Sequence, residues 1–420
     1  MSQTVKRSKP LLWLIDPFES TASQADAAYR FSGSKMAWML PLVVGIAGLL
    51  VSAVGWAMDS QQFYFSYLMG WSFCLSLTLG GYFFVVIQHL TKARWSPVIR
   101  RVPEVLMWSF PLLAVLAIPI ILGMHDLYHW THHDLLDPAS EHYDPVIAGK
   151  AGYLNTPFFL ARMAFYFLAW TFVSFRLYKL SIQQDLTADP SIASKQRTIS
   201  AIGLPLGAIT VAFASMDLLM SLDPHWFSTI FGIYFFAGAF MSIMAFMALV
   251  FMVLQRMGML KSAVKLDHYQ DLGKFLFAFI VFWAYIAFSQ YMLIWFGNLP
   301  EETVFYRHRL EHGWETYSAI LLMGHFVIPF FLLIGRWAKR TLPLLGFICV
   351  WMLVMHWFDF FWIAAPILHG EHASMSIFDI AAFVGLFGVF SAAFMYRLSR
   401  HAIVPENDPR LAKSLSFINS

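Results

Sequence analysis

The stretch from Ser215 to Trp226 reads SMDLLMSLDPHW. It closes a long apolar run that begins at Ile199, and it places the carboxylate of Asp217 inside that run. An ionisable side chain within a membrane-spanning segment is energetically expensive, so by default it marks a functional site. The interpretation of Asp217 therefore depends on whether the rest of the chain is a membrane protein.

The composition is that of a membrane protein. Of the 420 residues, 59% are hydrophobic and only 13% are charged, whereas charged residues make up about 25% of a typical soluble domain. The formal net charge of +3 argues against a polyanionic partner and therefore against nucleic acid. The two cysteines, Cys74 and Cys349, lie in separate apolar runs, so we expect neither a disulfide framework nor a thiolate metal site.

Ten windows are long and apolar enough to cross about 30 Å of hydrocarbon. They predict an all-α, polytopic membrane protein with ten transmembrane helices and both termini in the cytoplasm. Residues 1–35 are then a cytoplasmic N-terminal segment, 36–397 the membrane domain and 398–420 a cytoplasmic tail. The windows cover residues 36–57, 63–90, 103–124, 154–180, 198–221, 226–254, 273–296, 316–335, 343–363 and 377–397.

The distribution of basic residues supports this topology. With ten helices, 24 of the 28 lysines and arginines fall on one side, as expected for cytoplasmic loops. Only Lys150, Arg307 and Arg309 fall on the other side, and Arg162 lies within the fourth helix. Loops on that other side are instead rich in histidine and acidic residues, and they are long enough to cover a partner protein.

A first group of polar residues surrounds Asp217. Thr210 and Ser221 lie seven residues before it and four after it, which predicts a shared helical face. Arg162, with Tyr166 one turn deeper in the same helix, needs a carboxylate or carbonyl groups around its charge, and Asp217 is the obvious partner. These residues form either the outer part of a proton path or a structural ion pair, and the sequence favours neither.

A second group lies in helices eight and nine. His356 and Asp359 are three residues apart and share one helical face, and His325 lies near the middle of the preceding helix. Because imidazole titrates near neutral pH, a His–Asp pair can accept a proton and pass it on. We interpret these residues as a second part of the proton path. Two deep histidines would serve one haem at most, and nothing else in the sequence indicates haem.

Two further groups have open roles. Near the outer end of helix seven, three polar residues are either quinone contacts or hydrogen-bonding groups between helices: Ser289, Gln290 and Tyr291. Four loop histidines follow a pattern that suits a metal: His125, His129, His132 and His133. The pattern also resembles one histidine box of the membrane di-iron desaturases, but those enzymes need several boxes on the cytoplasmic side. A polar cap is the default, and we expect neither a metal nor a catalytic residue in this chain.

The segment from Phe288 to Thr303, FSQYMLIWFGNLPEET, with Phe305, Tyr306 and Arg309 after it, closely resembles the F subunit of bacterial alternative complex III. The stretch from Asp217 to Thr229 does so as well. That subunit is an integral membrane protein of the polysulfide-reductase (NrfD-like) family, and the resemblance extends over essentially all ten helices. It implies two four-helix bundles, helices two to five and six to nine, with helices one and ten peripheral.

The resemblance also implies a place in a quinol:electron acceptor (cytochrome c) oxidoreductase of the bacterial inner membrane. The implied partners are a sister NrfD-like membrane subunit, an iron–sulfur subunit, haem c subunits and a terminal oxidase, with lipid and menaquinol or another quinol. Iron–sulfur clusters and haem c would belong to those partners, and this chain would hold no redox centre or cofactor of its own. Whether it binds a quinone stays open.

Two other functions fit the sequence. A purely structural scaffold would use the loops at 125–153 and 297–315 to dock haem c or iron–sulfur subunits, or a terminal oxidase. An independent secondary transporter would need helices broken by glycine or proline near the membrane midplane. Most prolines lie near helix ends, with Pro111, Pro119 and Pro329 as exceptions, so the transporter is the less favoured of the two.

Overall fold

The computed structural model describes residues 29–419, and every regular element in this range is a helix. Most of the predicted segment 1–35 lies outside these residues. Ten of the described helices are long and apolar enough to cross a membrane, which matches the predicted number. They are α1 Met36–Met58, α2 Ser60–Leu90, α3 Pro97–Leu122, α4 Thr156–Thr187, α5 Ser191–Leu222, α6 Phe231–Arg256, α7 Leu266–Gly297, α8 Trp314–Leu333, α9 Leu342–His369 and α10 Ile377–Leu398.

The exact ends of the helices depend on capping side chains and prolines more than on hydropathy. The α4 helix starts at Thr156 because the Asn155 side chain accepts from the backbone N–H of Phe158 at 3.0 Å. The sixth window is wrong at its start, since α6 begins only at Phe231. The preceding segment turns after Pro224, which cannot donate a helical hydrogen bond.

The central helix of the array is α2. In its most apolar window 94% of the residues are buried, compared with 17% for α1. It contacts α1, α3, α5, α6, α9 and α10. Its apolar run is interspersed with small residues, including Ser72, Ser76, Gly80 and Gly81, which allow neighbouring helices to approach closely on every side.

The other helices pack mainly on neighbours in the chain. In the first half, α3 contacts α4 and α4 contacts α5. In the second half, α6 contacts α7 and α9, while α8 contacts α7 and α9. The two halves meet where α6 lies against α2 and α5, and where α9 lies against α2.

The α1 helix is held mainly by α10, through glycines on both helices. An added Cβ on Gly48 would lie only 2.6 Å from the backbone nitrogen of Gly385. Likewise, an added Cβ on Gly388 would lie 2.6 Å from the Cα of Gly45. The two backbones are therefore in direct contact, as in other membrane helix pairs joined by small residues.

Two helices are irregular. The α3 helix is divided by a 3₁₀ turn at Met107–Ser109, with Pro111 and Pro119 in the segments that follow. The α8 helix contains a π-helical segment, Leu322–Val327, just before Pro329. Because π-helical turns occur often at functional sites, the side chains of this segment are of particular interest.

The two ends of the described chain meet at one end of the helix array. The backbone N–H of Ile403 donates to the carbonyl of Tyr29 at 2.7 Å. Arg100, which is fully buried in α3, donates to Asp408 of the C-terminal segment at 2.7 Å. An even number of spanning helices places both ends on one side, and these contacts agree with that count.

Candidate functional site

A buried ion pair joins α4 and α5. The guanidinium of Arg162 donates to both carboxylate oxygens of Asp217, from Nε and from Nη2, at 2.9 Å each. The hydroxyl of Tyr166 donates to the same carboxylate at 2.8 Å. Less than a tenth of either charged side chain is exposed. The structure therefore contains the Arg162–Asp217 pair that the sequence predicts.

The loop before α4 closes one side of this pair. The Nη1 atom of Arg162 donates to the carbonyl of Tyr153 at 2.9 Å, and its guanidinium lies 3.8 Å from the Tyr153 ring centroid. Burial raises the pKa of the Tyr153 phenol to about 12, so this ring stays neutral. Arg162 is thus fixed by a carboxylate, a carbonyl and a ring, which is the geometry of a structural ion pair.

Neither predicted hydroxyl contacts the carboxylate of Asp217. Ser221 donates instead to the backbone carbonyl of Asp217. The regular helix ends at Leu218, so Ser221 lies in the 3₁₀ turn that follows, with its hydroxyl on the carbonyl four residues earlier. Thr210 accepts from the indole N–H of Trp170 at 2.8 Å and lies deeper in the helix.

The second buried carboxylate, Asp359 of α9, has different surroundings. It accepts a hydrogen bond from the Tyr234 hydroxyl of α6. It accepts another from the indole N–H of Trp283 in α7, at 3.1 Å. Both donors are neutral. Among the ion pairs of residues 29–419, none includes this carboxylate.

The two predicted histidines converge on Asp359. One ligand atom each from His325, His356 and Asp359 lie within 4.8 Å of one another, and all three residues are buried. His325 belongs to the π-helical segment of α8, and its ring lies 3.8 Å from the Trp283 ring, centroid to centroid. His356 Nε2 lies 2.9 Å from the hydroxyl of Ser76 in α2. The structure therefore brings this predicted group together.

The polar residues near the C-terminal end of α7 connect separate elements. Gln290 accepts from the Ser228 hydroxyl at 2.8 Å and donates to the Tyr306 hydroxyl at 3.0 Å. The Tyr291 ring packs edge-on against Tyr306, with 5.0 Å between centroids. Ser289 lies half-buried beside them. These contacts fit one of the two predicted roles, which is hydrogen bonding between elements.

A cavity of about 440 Å³ lies between α7 and α8. Its lining is largely apolar, with a few hydroxyl and amide groups from Gln290, Tyr306 and Ser318. Tyr234 and Trp283 form part of its wall, and both donate to Asp359. The cavity therefore reaches the contacts of the second carboxylate.

The four loop histidines do not converge on one point. The rings of His125 and His132 stack at 4.0 Å, and His132 Nε2 is 2.9 Å from the His125 carbonyl. His129 lies farther away, at 5.9 Å from His132 between ring centroids. Within residues 29–419, the one group of three possible ligand atoms that is close enough for a metal is His325, His356 and Asp359.

Several contacts of the candidate site were not predictable from the sequence. Tyr234, Trp283 and Ser76 lie in apolar runs, where a tyrosine, tryptophan or serine looks like an ordinary packing residue. A further buried acid, Asp379 at the start of α10, accepts from Gln62 at 2.8 Å. Helical spacing cannot indicate such contacts, because the partners are on helices that are distant in the chain.

Arg309, before α8, is a buried arginine held by carbonyl groups. It donates to the backbone carbonyls of Phe305, Trp362 and Ile363, at 2.8, 3.2 and 2.6 Å. Burial lowers the pKa of its guanidinium to about 9, so the group stays charged at neutral pH. Arg309 thereby joins the loop before α8 to the C-terminal part of α9.

The helices, by length and composition, are those of a multi-pass membrane protein, and the buried carboxylates Asp217 and Asp359 lie among them. No family model matches the sequence, and no curated protein matches it.

Proposed function

We propose that this chain is a membrane subunit of a quinol:electron acceptor oxidoreductase of the alternative complex III type, and that it contributes to proton translocation. The proposal starts from the resemblance of two segments, 217–229 and 288–303, to the F subunit of such complexes. Both segments border the buried polar groups described above. The proposed location is the bacterial inner membrane, with both termini in the cytoplasm.

The proposed architecture is a pair of four-helix bundles, α2–α5 and α6–α9, with α1 and α10 at the periphery. Contacts between successive helices within each half support it. The contacts of α2 with α5 and of α6 with α9 also support it, because they join the first and last helices of each bundle. The shallow burial of α1 fits a peripheral helix.

The observation that carries the proton role is the environment of Asp359. Its carboxylate meets the neutral donors Tyr234 and Trp283, and two imidazoles lie within reach. A carboxylate in such surroundings can gain or lose a proton without leaving a buried cation unpaired. Since ionisable residues inside membranes commonly form proton relays, His325, His356 and Asp359 are the residues that we assign to proton transfer.

Asp217 has a different role in this proposal. Protonating its carboxylate would leave the buried charge of Arg162 without a partner, which is strongly unfavourable. Asp217, Arg162, Tyr166, Thr210 and Ser221 therefore make a fixed polar wall at the outer end of the path. Proton passage there would run beside the ion pair.

The partners in the proposal are those that the resemblance implies. A sister membrane subunit, an iron–sulfur subunit and haem c subunits would carry the electrons, and a terminal oxidase would follow them. Quinol oxidation in the complex would supply the free energy. A change of conformation or charge would then couple that energy to Asp359, by favouring one of its protonation states.

The test is Asp359→Asn in the assembled complex, reconstituted in liposomes. We expect assembly and quinol oxidation to remain, while the number of protons released per electron falls. Asp379→Asn is the matched control, because Asp379 is another buried acid but lies in α10 outside the proposed path. A proton stoichiometry that is unchanged by Asp359→Asn would contradict the proposal.

A structural scaffold is the second candidate. It is favoured by the exposed aromatic side chains near the outer end of α7, where Phe288, Trp295 and Phe296 are 61%, 66% and 84% exposed. In that case Asp359→Asn would leave the proton stoichiometry unchanged. Replacing Trp295 and Phe296 with serine would instead release haem c or iron–sulfur proteins from the purified complex.

A further inference from the structure

We propose that His325, His356 and Asp359 form a binding site for a divalent transition-metal ion, with zinc as the typical occupant. The site is not implied by the proton role, and the sequence pattern alone does not indicate it. These three residues are called the trio below. Their ligand atoms come from α8 and α9 and lie within 4.8 Å of one another.

The donor set selects the class of metal. Two imidazole nitrogens and one carboxylate oxygen are ligands of zinc, and the same set occurs in non-haem iron sites. Calcium and magnesium prefer sites made of oxygen atoms alone. Three protein ligands would leave a further position on the metal for a water molecule or another small ligand.

The histidine nitrogens are available for a metal. Neither ring nitrogen of His325 has a hydrogen-bond partner among the described residues, and the same is true of Nδ1 of His356. Both histidines are at most 1% exposed. Buried polar atoms are nearly always hydrogen-bonded, so unpartnered nitrogens beside a carboxylate indicate a site that binds a ligand.

Hydrogen bonds from outside the trio orient its members. The Ser76 hydroxyl donates to the Phe73 carbonyl at 2.8 Å, so its oxygen is free to accept from Nε2–H of His356. That tautomer leaves a lone pair on Nδ1. Asp359 is held by Tyr234 and Trp283. Such outer hydrogen bonds to histidine and carboxylate ligands are typical of metal sites.

The surrounding helices leave room for the ligands and a way in. A Cβ on Gly238 would lie 2.6 Å from Cε1 of His356, so a glycine is required beside this ring. The cavity between α7 and α8 reaches Tyr234 and Trp283, next to the trio. Zinc–ligand bonds of about 2.0–2.2 Å require ligand atoms closer than 4.8 Å, so we expect the trio to contract on binding.

Metal binding would have a consequence that rests on the proposed function. Zinc would occupy the lone pairs of the imidazoles and the carboxylate, which are the atoms proposed to carry protons. Zinc at this site would therefore reduce the number of protons released per electron. Quinol oxidation in the partner subunits would continue.

The binding test uses the purified full-length chain in detergent, stripped of metal with a chelator. Cobalt(II) is titrated in and followed by its visible absorption, zinc is used to displace it, and bound zinc is counted by mass spectrometry. All variants are made in a background in which His125, His129, His132 and His133 are alanine, so that loop histidines do not contribute. His89→Ala removes another buried histidine and serves as the matched control.

We expect one bound metal per chain to be lost in His325→Ala and in His356→Gln, and to be retained in His89→Ala. Ser76→Ala removes an orienting hydrogen bond only, so it should weaken zinc binding by about 10- to 100-fold. If one ligand variant cannot be purified in a folded form, Ser76→Ala and the other ligand variant still test whether the metal site exists. Equal metal content and equal cobalt spectra in all of these variants would overturn the site.

The two proposals fail separately. If the metal-free complex translocates protons through Asp359 but binds no cobalt at the trio, the metal site is wrong and the proton role stands. If cobalt binds at the trio but Asp359→Asn leaves the proton stoichiometry unchanged, the metal site stands and the proton role is wrong.

Discussion

At the scale of single residues, the two buried carboxylates Asp217 and Asp359 are stabilised in opposite ways. Burial of a charge is costly unless partners compensate for it. Asp217 is compensated by a fixed cation, Arg162, whereas Asp359 receives hydrogen bonds from neutral donors. Only the second arrangement suits a group that changes its protonation state. We therefore propose a structural role for the aspartate of α5 and a chemical role for the aspartate of α9.

The ion pair of α4 and α5 can be tested by removing one charge. Asp217→Asn leaves Arg162 buried without its partner, so we expect the free energy of unfolding to fall by about 3–5 kcal/mol. The measurement is the thermal unfolding midpoint of the purified protein in detergent. The double variant Arg162→Met, Asp217→Asn should regain part of the loss. A double variant no more stable than the single one would show that the unpaired charge is not the cause.

At the scale of helices, small residues decide which surfaces come together. The α1 helix is largely exposed in the isolated chain, yet its glycine face fits closely against α10. Within the membrane, apolar burial does not drive helix association, so close backbone packing has to provide the attraction. The docking of α1 consequently depends on a few glycines.

Gly48→Ala tests that dependence. The added methyl would meet the backbone of Gly385, so the helices must separate, and we expect a loss of about 1–3 kcal/mol in stability. Limited proteolysis of the link between α1 and α2 and the thermal midpoint would report it. Gly149→Ala is the control, because no atom lies within 4 Å of the added Cβ. Equal effects of the two substitutions would contradict the predicted close packing.

At the scale of the whole molecule, ionic contacts join the C-terminal segment to the helix array. Arg100 lies between Glu104 and Asp408, at 2.8 and 2.7 Å, and Arg101 donates to Asp185 at 2.7 Å. These side chains are almost fully buried. Because a buried charge is costly without its partners, the C-terminal segment completes the fold at this end of the array.

The contribution of Asp408 should depend on pH. Burial alone would raise the pKa of this carboxyl, but Arg100 and Arg410 hold it well below its usual range. A lowered pKa in the folded state means that the stabilisation is present above the unfolded value of about 3.9 and is lost as the pH falls below it. Asp408→Asn should therefore lower the thermal midpoint at neutral pH, by an amount that shrinks below about pH 4. A pH-independent difference would contradict this assignment.

The number of spanning helices was predictable from sequence, because hydropathy and the thickness of a bilayer concern consecutive residues only. The Arg162–Asp217 pair was predictable as well, since two unpaired charges on neighbouring helices have few alternatives. The hydrogen bond of Ser221 to the backbone carbonyl of Asp217 was not predictable, because the spacing of the two residues does not say which atom of Asp217 the hydroxyl contacts. Local sequence spacing indicates a shared helical face but not the partner atom.

Hydropathy along the chain was therefore enough to predict a multi-pass membrane protein, its approximate spans and the polar residues that lie within them. Only the tertiary structure decided what those residues contact. Tyr234, Trp283 and Ser76 meet the trio from three other helices, α6, α7 and α2. Their proximity results from how the helices pack, and helix packing depends on side-chain shape over the whole array rather than on the spacing of residues in one segment.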